Sequence, residues 1–557
     1  MTDDNQNKNK NTMALPSIEN KMAVNANNGV RTGASVPFDI PDELKERLNQ
    51  NKNVANAVPA VPPETVAPVA NNAMPPATAS SATNSFSVAG IKNPSHFTTV
   101  TVTNDDGKVC TSVIDPHVAP PGAVEQKGNV VSSLVAGAAG VGHNGEDKRL
   151  VFNLGDPTQV GPIPGLLFDY NDGLRVHVPE GNYRLVIIDL DDCLTVFNGD
   201  VSGTTICTTK KYFVNYRFEL YKDEEMVFSH DYDAKGKNIL LQYPWGAVIG
   251  DTMAWFPYAE EFRKKHGCEV YVTISEVTGK ILEKSYPHIH FVFITQEQGE
   301  KNIKPEGVPN DLYATYRLGV FFPCDDRDHQ PVDFRVMGLH RNAALILGLN
   351  EWEEHPPCLQ PSPEAKKRRE IKEPYVCIAT NGSSQAKQWN NSRGWINVIR
   401  YLKEKGYRVL CIDKEDNHQI GSYMNVIPYG CEDFTGDKPL QERIDLLYHA
   451  DFFIGVSSGL SWIAWGVGKP VIMISGFTLP INEFTNPYRI INYNVCNGCW
   501  NDTRITFDHK DGEWCPRHKN TERQFECSRN ITPEKVCKMI DKCMKDNNFN
   551  PEGGKKQ

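Results

Sequence analysis

Between residues 214 and 220, apolar Val214, Tyr216, Phe218 and Leu220 alternate with polar Asn215, Arg217 and Glu219. A period of two marks a strand with one buried face and one wet face. Upstream, Leu166-Leu-Phe-Asp-Tyr and Leu174-Arg-Val-His-Val flank Asn171-Asp172-Gly173, a turn signal that predicts a β-hairpin. Residues 165–236 are therefore expected to form a small antiparallel β-barrel or sandwich.

Near residue 237 the pattern changes. Short apolar runs at 238–243, 269–274 and 288–294 alternate with helical stretches from Asp251 to about Lys265, around 276–286, and from His340 to Leu349. A charged, proline-rich linker spans Glu353–Glu373, and 300–330 carries no clear period. A second unit follows, with strands at 375–379, 408–412, 452–455 and 471–474. Helices at 395–405, 440–449 and 461–467 separate them. Short strands that are apolar throughout imply parallel sheets covered by helices on both faces. The expected fold class is α/β, with two Rossmann-like, doubly wound domains at 237–372 and 373–545 facing each other across a cleft.

Composition separates these units from the start of the chain. Residues 1–85 contain a single aromatic, Phe38, and six prolines fall between Pro59 and Pro76, whereas all nine tryptophans lie beyond residue 240. Such a segment buries too little apolar surface to offset its chain entropy. Residues 1 to about 90 are expected to be disordered, within a mostly disordered leader over 1–160 that holds one strand near Phe97-Thr-Thr-Val-Thr-Val. No basic-then-apolar signal peptide opens the chain, and the apolar run 132–142 is too short to span a bilayer. A cytoplasmic protein is expected.

The 59 Lys and Arg against 69 Asp and Glu leave a net charge of -10. That balance disfavours a broad nucleic-acid face, whose affinity comes from cations on phosphates. A single phosphate pocket needs only one or two cations and stays open.

Doubly wound sheets bind ligands outside the carboxyl ends of their strands. Three loops stand at such ends: Pro244-Trp-Gly-Ala-Val-Ile-Gly250-Asp251, Thr380-Asn-Gly-Ser-Ser384-Gln-Ala-Lys387, and Ser457-Ser458-Gly459-Leu-Ser461. Asp251 opens a helix, where a carboxylate either caps backbone amides or serves as a general base. Lys387, amid the hydroxyls of Thr380 and Ser384, is a candidate cation for a phosphate leaving group. Gly459 with Ser457, Ser458 and Ser461 could form an anion-friendly turn into a helix. No Gly-x-Gly-x-x-Gly or Walker sequence occurs in these loops, which lowers support for hydride transfer and ATP hydrolysis. Asp189-Leu-Asp191 and Asp326-Arg-Asp328 match a metal-holding Asp-x-Asp pattern that is common by chance.

Four of the 15 cysteines, Cys496, Cys499, Cys515 and Cys527, fall within 32 residues. In a reducing compartment that clustering reads as a metal site, with a disulfide knot as the alternative. Four thiolates suit zinc or iron equally, and His509 or His518 could replace one of them. Cys537 and Cys543 read as core residues.

Long runs in order then carry a resemblance covering about 165–540. They include Phe168-Asp-Tyr-Asn-Asp-Gly, Lys210-Lys-Tyr-Phe-Val, Gly250-Asp251 with Trp255-Phe-Pro-Tyr-Ala-Glu, and Gln330-Pro-Val-Asp-Phe-Arg. Further on come Gln385-Ala-Lys387, Ser458-Gly-Leu-Ser-Trp-Ile-Ala-Trp, and Trp514-Cys-Pro-Arg-His through Phe-Glu-Cys527. The chain resembles the bacterial autotransporter heptosyltransferases, relatives of the lipopolysaccharide heptosyltransferases of glycosyltransferase family 9. The resemblance implies an N-terminal β-barrel and a GT-B core. It also implies inverting transfer of heptose from ADP-heptose to serine hydroxyls of an autotransporter adhesin passenger. On this sequence the family's catalytic aspartate falls on Asp251 and its phosphate-contacting lysine on Lys387. No catalytic metal is implied. The four cysteines match a single-iron site, and family members assemble into rings of twelve. The residues alone leave two other readings: a lipopolysaccharide-type glycosyltransferase with another acceptor, and a four-cysteine binding module.

Overall fold

The computed structural model describes residues 98–103, 109–114, 155–245, 249–301, 303–322 and 327–551. The segment from 1 to about 90 and Asp326 lie outside them. Among the described residues, ten strands precede the α/β region. They are β1 (Thr98–Thr103), β2 (Val109–Ile114), β3 (Gln159–Val160), β4 (Leu167–Asn171) and β5 (Arg175–Val178), then β6 (Tyr183–Asp189), β7 (Leu194–Val201), β8 (Thr204–Thr208), β9 (Tyr216–Lys222) and β10 (Glu225–Asp231). The hairpin between β4 and β5, whose last pair is Asp169 with Arg175, turns through Asp172 (φ 61°) and Gly173 (φ 98°), left-handed positions that favour Asp and Gly. Strand β1 covers the run expected near Phe97, and it continues as a hairpin through β2, which pairs with β8.

These strands divide between two sheets. Strands β10, β9, β6 and β7 form an antiparallel sheet of their own. The others join the first parallel sheet of the α/β region, because β4 pairs with β14 (Ala314–Arg317) at Tyr170 and Ala314. The two layers pack through the Phe168 and Phe218 rings, 5.2 Å apart. The β region is therefore a sandwich that shares a sheet with its neighbour, rather than a barrel set apart from it.

In the first lobe, β11 (Asn238–Gln242) pairs in parallel with β12 (Glu269–Ser275) on one side and β14 on the other, and β13 (Ile289–Ile294) pairs with β12. In the second lobe, six parallel strands are ordered β19 (Glu432–Asp433), β16 (Arg408–Cys411), β15 (Tyr375–Ala379), β20 (Phe453–Val456), β21 (Val471–Ile474), β22 (Arg489–Ile490). The polar hairpin β17 (Asn417–Ile420) and β18 (Tyr423–Val426) lies outside that sheet. Counted from β15, the order is the doubly wound 3-2-1-4-5-6, whose switch point falls between β15 and β20. In the first lobe the order reverses between β11 and β14. The loops after β11, β15 and β20 thus open at the two switch points.

The segment expected as one helix from Asp251 is two, Ile249–Trp255 and Pro257–His266, broken at Phe256. Pro257 at the first turn of the second helix has no N–H to continue the first. Asp251 therefore sits inside a first turn instead of capping it. Helix Leu440–His449 agrees with expectation at both ends; it carries Glu442 in its first turn, His449 in its last, and buries Ile444 and Leu447.

Candidate active site and metal centre

The helices that follow β11 and β20, Ile249–Trp255 and Gly459–Gly466, meet at their first turns. A Cβ on Gly459 would lie 2.8 Å from the Ile249 Cβ and 3.2 Å from the Gly250 amide nitrogen. A Cβ on Gly250 would lie 3.5 Å from the Gly459 Cα and 3.2 Å from the Trp462 ring. Two residues without side chains let the lobes touch at the switch points, next to Asp251.

Asp251 is half-buried. Burial pushes its carboxyl up to about 6, and the positive charge of Lys387 on the other lobe opposes that rise. Burial lowers Lys387, against the charges of Asp251 and Glu483. Each group thus feels the other across the contact between the lobes. The Lys387 Nζ donates to Ser383 Oγ at 3.1 Å and lies 5.9 Å from the centre of the Phe477 ring.

The loop hydroxyls divide into engaged and open. Thr380 donates its hydroxyl to Asp413 Oδ2 at 2.9 Å, and its amide donates to the same oxygen at 2.7 Å. Ser384 donates to the Gly512 carbonyl at 3.2 Å and accepts from the Ala386 amide. Ser457 donates to Glu483, and Ser461 donates to the Val456 carbonyl at 2.6 Å. The Ser458 hydroxyl caps no amide and is half-buried at the start of helix Gly459–Gly466, whose Ser461 amide donates to the Ser458 carbonyl at 3.1 Å. Beneath this turn, Glu483 is buried with Arg489 as its ion-pair partner. Burial raises its carboxyl, and Arg489 with hydrogen bonds from Ser457 and Asn482 outweighs that and holds it low.

Glu483, Asn482, Asp413 and Phe477 are absent from the sequence reading. The sheet order could have found three of them, since Phe477, Asn482 and Glu483 follow β21 at a strand's carboxyl end. Asp189 of the first Asp-x-Asp match pairs with Lys210 at 3.5 Å and accepts from the Asp191 amide, the work of a turn.

Cys496, Cys499, Cys515 and Cys527 carry free thiols. Burial pushes Cys499 and Cys527 up to about 12, and negative charge on the other cysteines adds to the rise. Cys515 is raised by the same causes. Arg517 Nη1 lies 3.5 Å from both Cys496 Sγ and Cys499 Sγ. Four thiols beside a guanidinium offer the donor type of a thiolate-bound metal, whose protons binding would release, but no three of their sulfurs gather within 4.8 Å of one another. A second donor set overlaps it: ligand atoms of Cys496, His518 and Glu526 lie within 4.8 Å of one another. His509 instead packs on Phe322 and Phe507.

Residues 161–224 match the family described as Glycosyltransferase TibC, N-terminal domain, and residues 331–510 match Glycosyltransferase family 9 (heptosyltransferase). The autotransporter heptosyltransferase Aah of Escherichia coli is 48% identical over 378 residues, 68% of this chain and 92% of Aah. This chain belongs to the autotransporter heptosyltransferases. Its family is thus one of glycosyltransferases, and its fold is that of the GT-B heptosyltransferases. The crystal structure of Escherichia coli TibC, a dodecameric, iron-containing heptosyltransferase in complex with ADP-D-beta-D-heptose, is 44% identical. It superposes with a TM-score of 0.64 over 71% of this chain and 99% of TibC. BimC of Burkholderia thailandensis, 36% identical over 69% of this chain and 87% of its own length, is an inactive autotransporter heptosyltransferase. Membership and activity are therefore separable in this family, and the site itself has to carry the activity. Among the described residues no helix is long and apolar enough to cross a membrane.

Proposed function

We propose that this protein moves heptose from ADP-heptose to serine hydroxyls of an autotransporter passenger, with inversion at the anomeric carbon. The observation that carries the reading is the electrostatic coupling of Asp251 and Lys387 across the contact of Gly250 with Gly459. Asp251 takes the proton of the acceptor hydroxyl as its oxygen bonds to the anomeric carbon. The bond from that carbon to the β-phosphate oxygen breaks, and its electron pair leaves with ADP. Lys387, Ser458 and the first-turn amides of helix Gly459–Gly466 receive the growing negative charge. Thr380, Ser384, Ser457 and Ser461 act one step back, through the bonds that hold the loops in shape.

The division of labour is a β region over 165–236, an acceptor lobe over 237–372 and a donor lobe over 373–545. Cys496, Cys499, Cys515 and Cys527 would hold one iron ion, which cross-links a long loop when bound. A homo-oligomer acting in the cytoplasm on an unexported passenger completes the reading, supported by the dodecameric TibC. Intact-mass measurement of a passenger incubated with purified protein and ADP-heptose tests it. Heptose-sized additions should appear with the native chain and vanish with Asp251→Asn. Additions that persist in that variant would reject Asp251 as the base.

A further inference from the structure

Trp500 follows Cys499 directly and touches both lobes. Its ring lies 5.6 Å from Phe334 and 6.3 Å from Phe322 on the first lobe, and 5.7 Å from Phe477 on the second. Its neighbour Asn501 donates to the Arg335 carbonyl at 2.8 Å, while Arg335 Nη1 donates to the Ile505 carbonyl at 3.1 Å. The cysteine loop is therefore fastened to the first lobe by hydrogen bonds in both directions.

A second line of bonds runs from the same residue toward the donor side. The Trp500 amide donates to the Phe477 carbonyl at 3.2 Å, and its indole Nε1 donates to Asn482 Oδ1 at 2.9 Å. Asn482 Nδ2 then donates to Glu483 Oε1 at 3.0 Å. Glu483 accepts from Ser457, and its charge acts on Lys387. One indole N–H thus orients an amide, and that amide helps hold the buried carboxylate beneath the diphosphate turn.

We infer that Trp500 is a positioning residue that passes the order of the cysteine loop to the anion-binding charges of the donor lobe. The inference rests on the reading of Lys387 and its turn as the diphosphate site. Without the indole donor, Asn482 Oδ1 is left unpaired in a buried setting, so the amide has reason to turn away from Glu483. The counter-charge for Lys387 is then no longer fixed, and the diphosphate meets a less organised cation.

Trp500→Phe removes the N–H and keeps a ring between the lobes. Titration of the metal-loaded full chain with ADP should show roughly fivefold weaker binding, the worth of about 1 kcal/mol from one neutral hydrogen bond. Metal content should be unchanged, and KM for ADP-heptose should rise more than kcat falls. Asn482→Ala should cause a similar loss, and the double variant should bind no more weakly than either single one. Asn482→Ala also reads the link from its other end if Trp500→Phe is not recovered folded. Unchanged ADP affinity, a loss that only tracks lost metal, or additive losses would overturn the inference. Lys387→Ala with undiminished ADP affinity would instead reject the diphosphate site itself, whatever Trp500 does.

Discussion

Gly250 of the first lobe lies against Gly459 of the second so closely that a Cβ on Gly459 would stand 2.8 Å from the Ile249 Cβ. This contact holds Asp251 within the electrostatic reach of Lys387. Gly459→Ala should therefore separate the two helices, and a methyl forced between packed elements costs on the order of 1–3 kcal/mol. Gly250→Ala meets its nearest atom, in the Trp462 ring, at 3.2 Å and should be milder. Thermal melts and transfer rates of the two variants check the order: Gly459→Ala should lose more of both.

The pH dependence follows from Asp251 and Lys387. Asp251 must be ionised to accept a proton, and burial sets its carboxyl at about 6. Transfer should fall about tenfold per pH unit below that value and level off above it. On the alkaline side activity should decline as Lys387 loses its proton, at a pH below that of an ordinary lysine because burial lowers it. Stability moves the opposite way at Asp251. Its folded value lies above the unfolded value, so the unfolded chain ionises first and stability falls as pH rises from about 4 to about 6. Asp251→Asn should abolish transfer yet melt higher, with an advantage that grows across that window and is constant above it. Melts at pH 4 and pH 7 measure the difference.

Glu354 joins the lobes by a second contact. Its carboxylate accepts from the Thr485 amide at 3.0 Å and hydroxyl at 2.8 Å on the second lobe. On the first lobe it pairs with His340 at 3.2 Å and Arg341 at 3.5 Å. Burial raises the carboxyl, and the bonds from His340 and Thr485 outweigh it and hold it at about 2. The stabilisation is present above the ordinary glutamate range and is lost as pH falls toward 2. Glu354→Ala should cost on the order of 1–3 kcal/mol near neutrality, since it leaves the buried His340 and the half-buried Arg341 without their carboxylate. The cost should shrink on acidification; an equal cost at pH 3 and pH 7 would exclude the ionic contact.

What the sequence could say depended on whether the signal was local. Helix Leu440–His449 carries its period and end charges within its own ten residues, and its bounds match. Strand β14 does not: Ala314-Thr-Tyr-Arg is buried at every position, so no alternation marks it within an irregular stretch. The β17–β18 hairpin is polar, and its pairing rests on neighbours such as Gln385, whose side chain accepts from Asn425. Asp251 and Lys387 could be singled out as candidates because strand ends at switch points are where ligands gather. Glu483 could not, because the setting of its carboxylate under the Ser457 turn depends on Arg489, Ser457 and Asn482 folding against it. The same holds for Thr380, whose hydroxyl reads as available until Asp413 folds against it.

The two overlapping donor sets at the cysteine loop give opposite outcomes at His518 and at Cys515. If four thiolates hold the ion, Cys496→Ser, Cys499→Ser, Cys515→Ser and Cys527→Ser should each strip the metal, because a hydroxyl is a poor replacement for a soft anionic ligand. His518→Ala should then keep it at full stoichiometry. If Cys496, His518 and Glu526 are the ligands, His518→Ala and Glu526→Gln should lose the metal while Cys515→Ser retains it. Elemental analysis of the purified variants separates the cases. Arg517 adds a graded readout to the first. Its Nη1 sits 3.5 Å from two of the sulfurs, so it supplies N–H to S contacts and positive charge to a centre of four anions. Arg517→Met should leave the ligands in place yet bind the metal about tenfold more weakly, as loss of a partner behind the ligands does. A chelator competition that shows equal retention by Arg517→Met and the native chain would remove Arg517 from the centre.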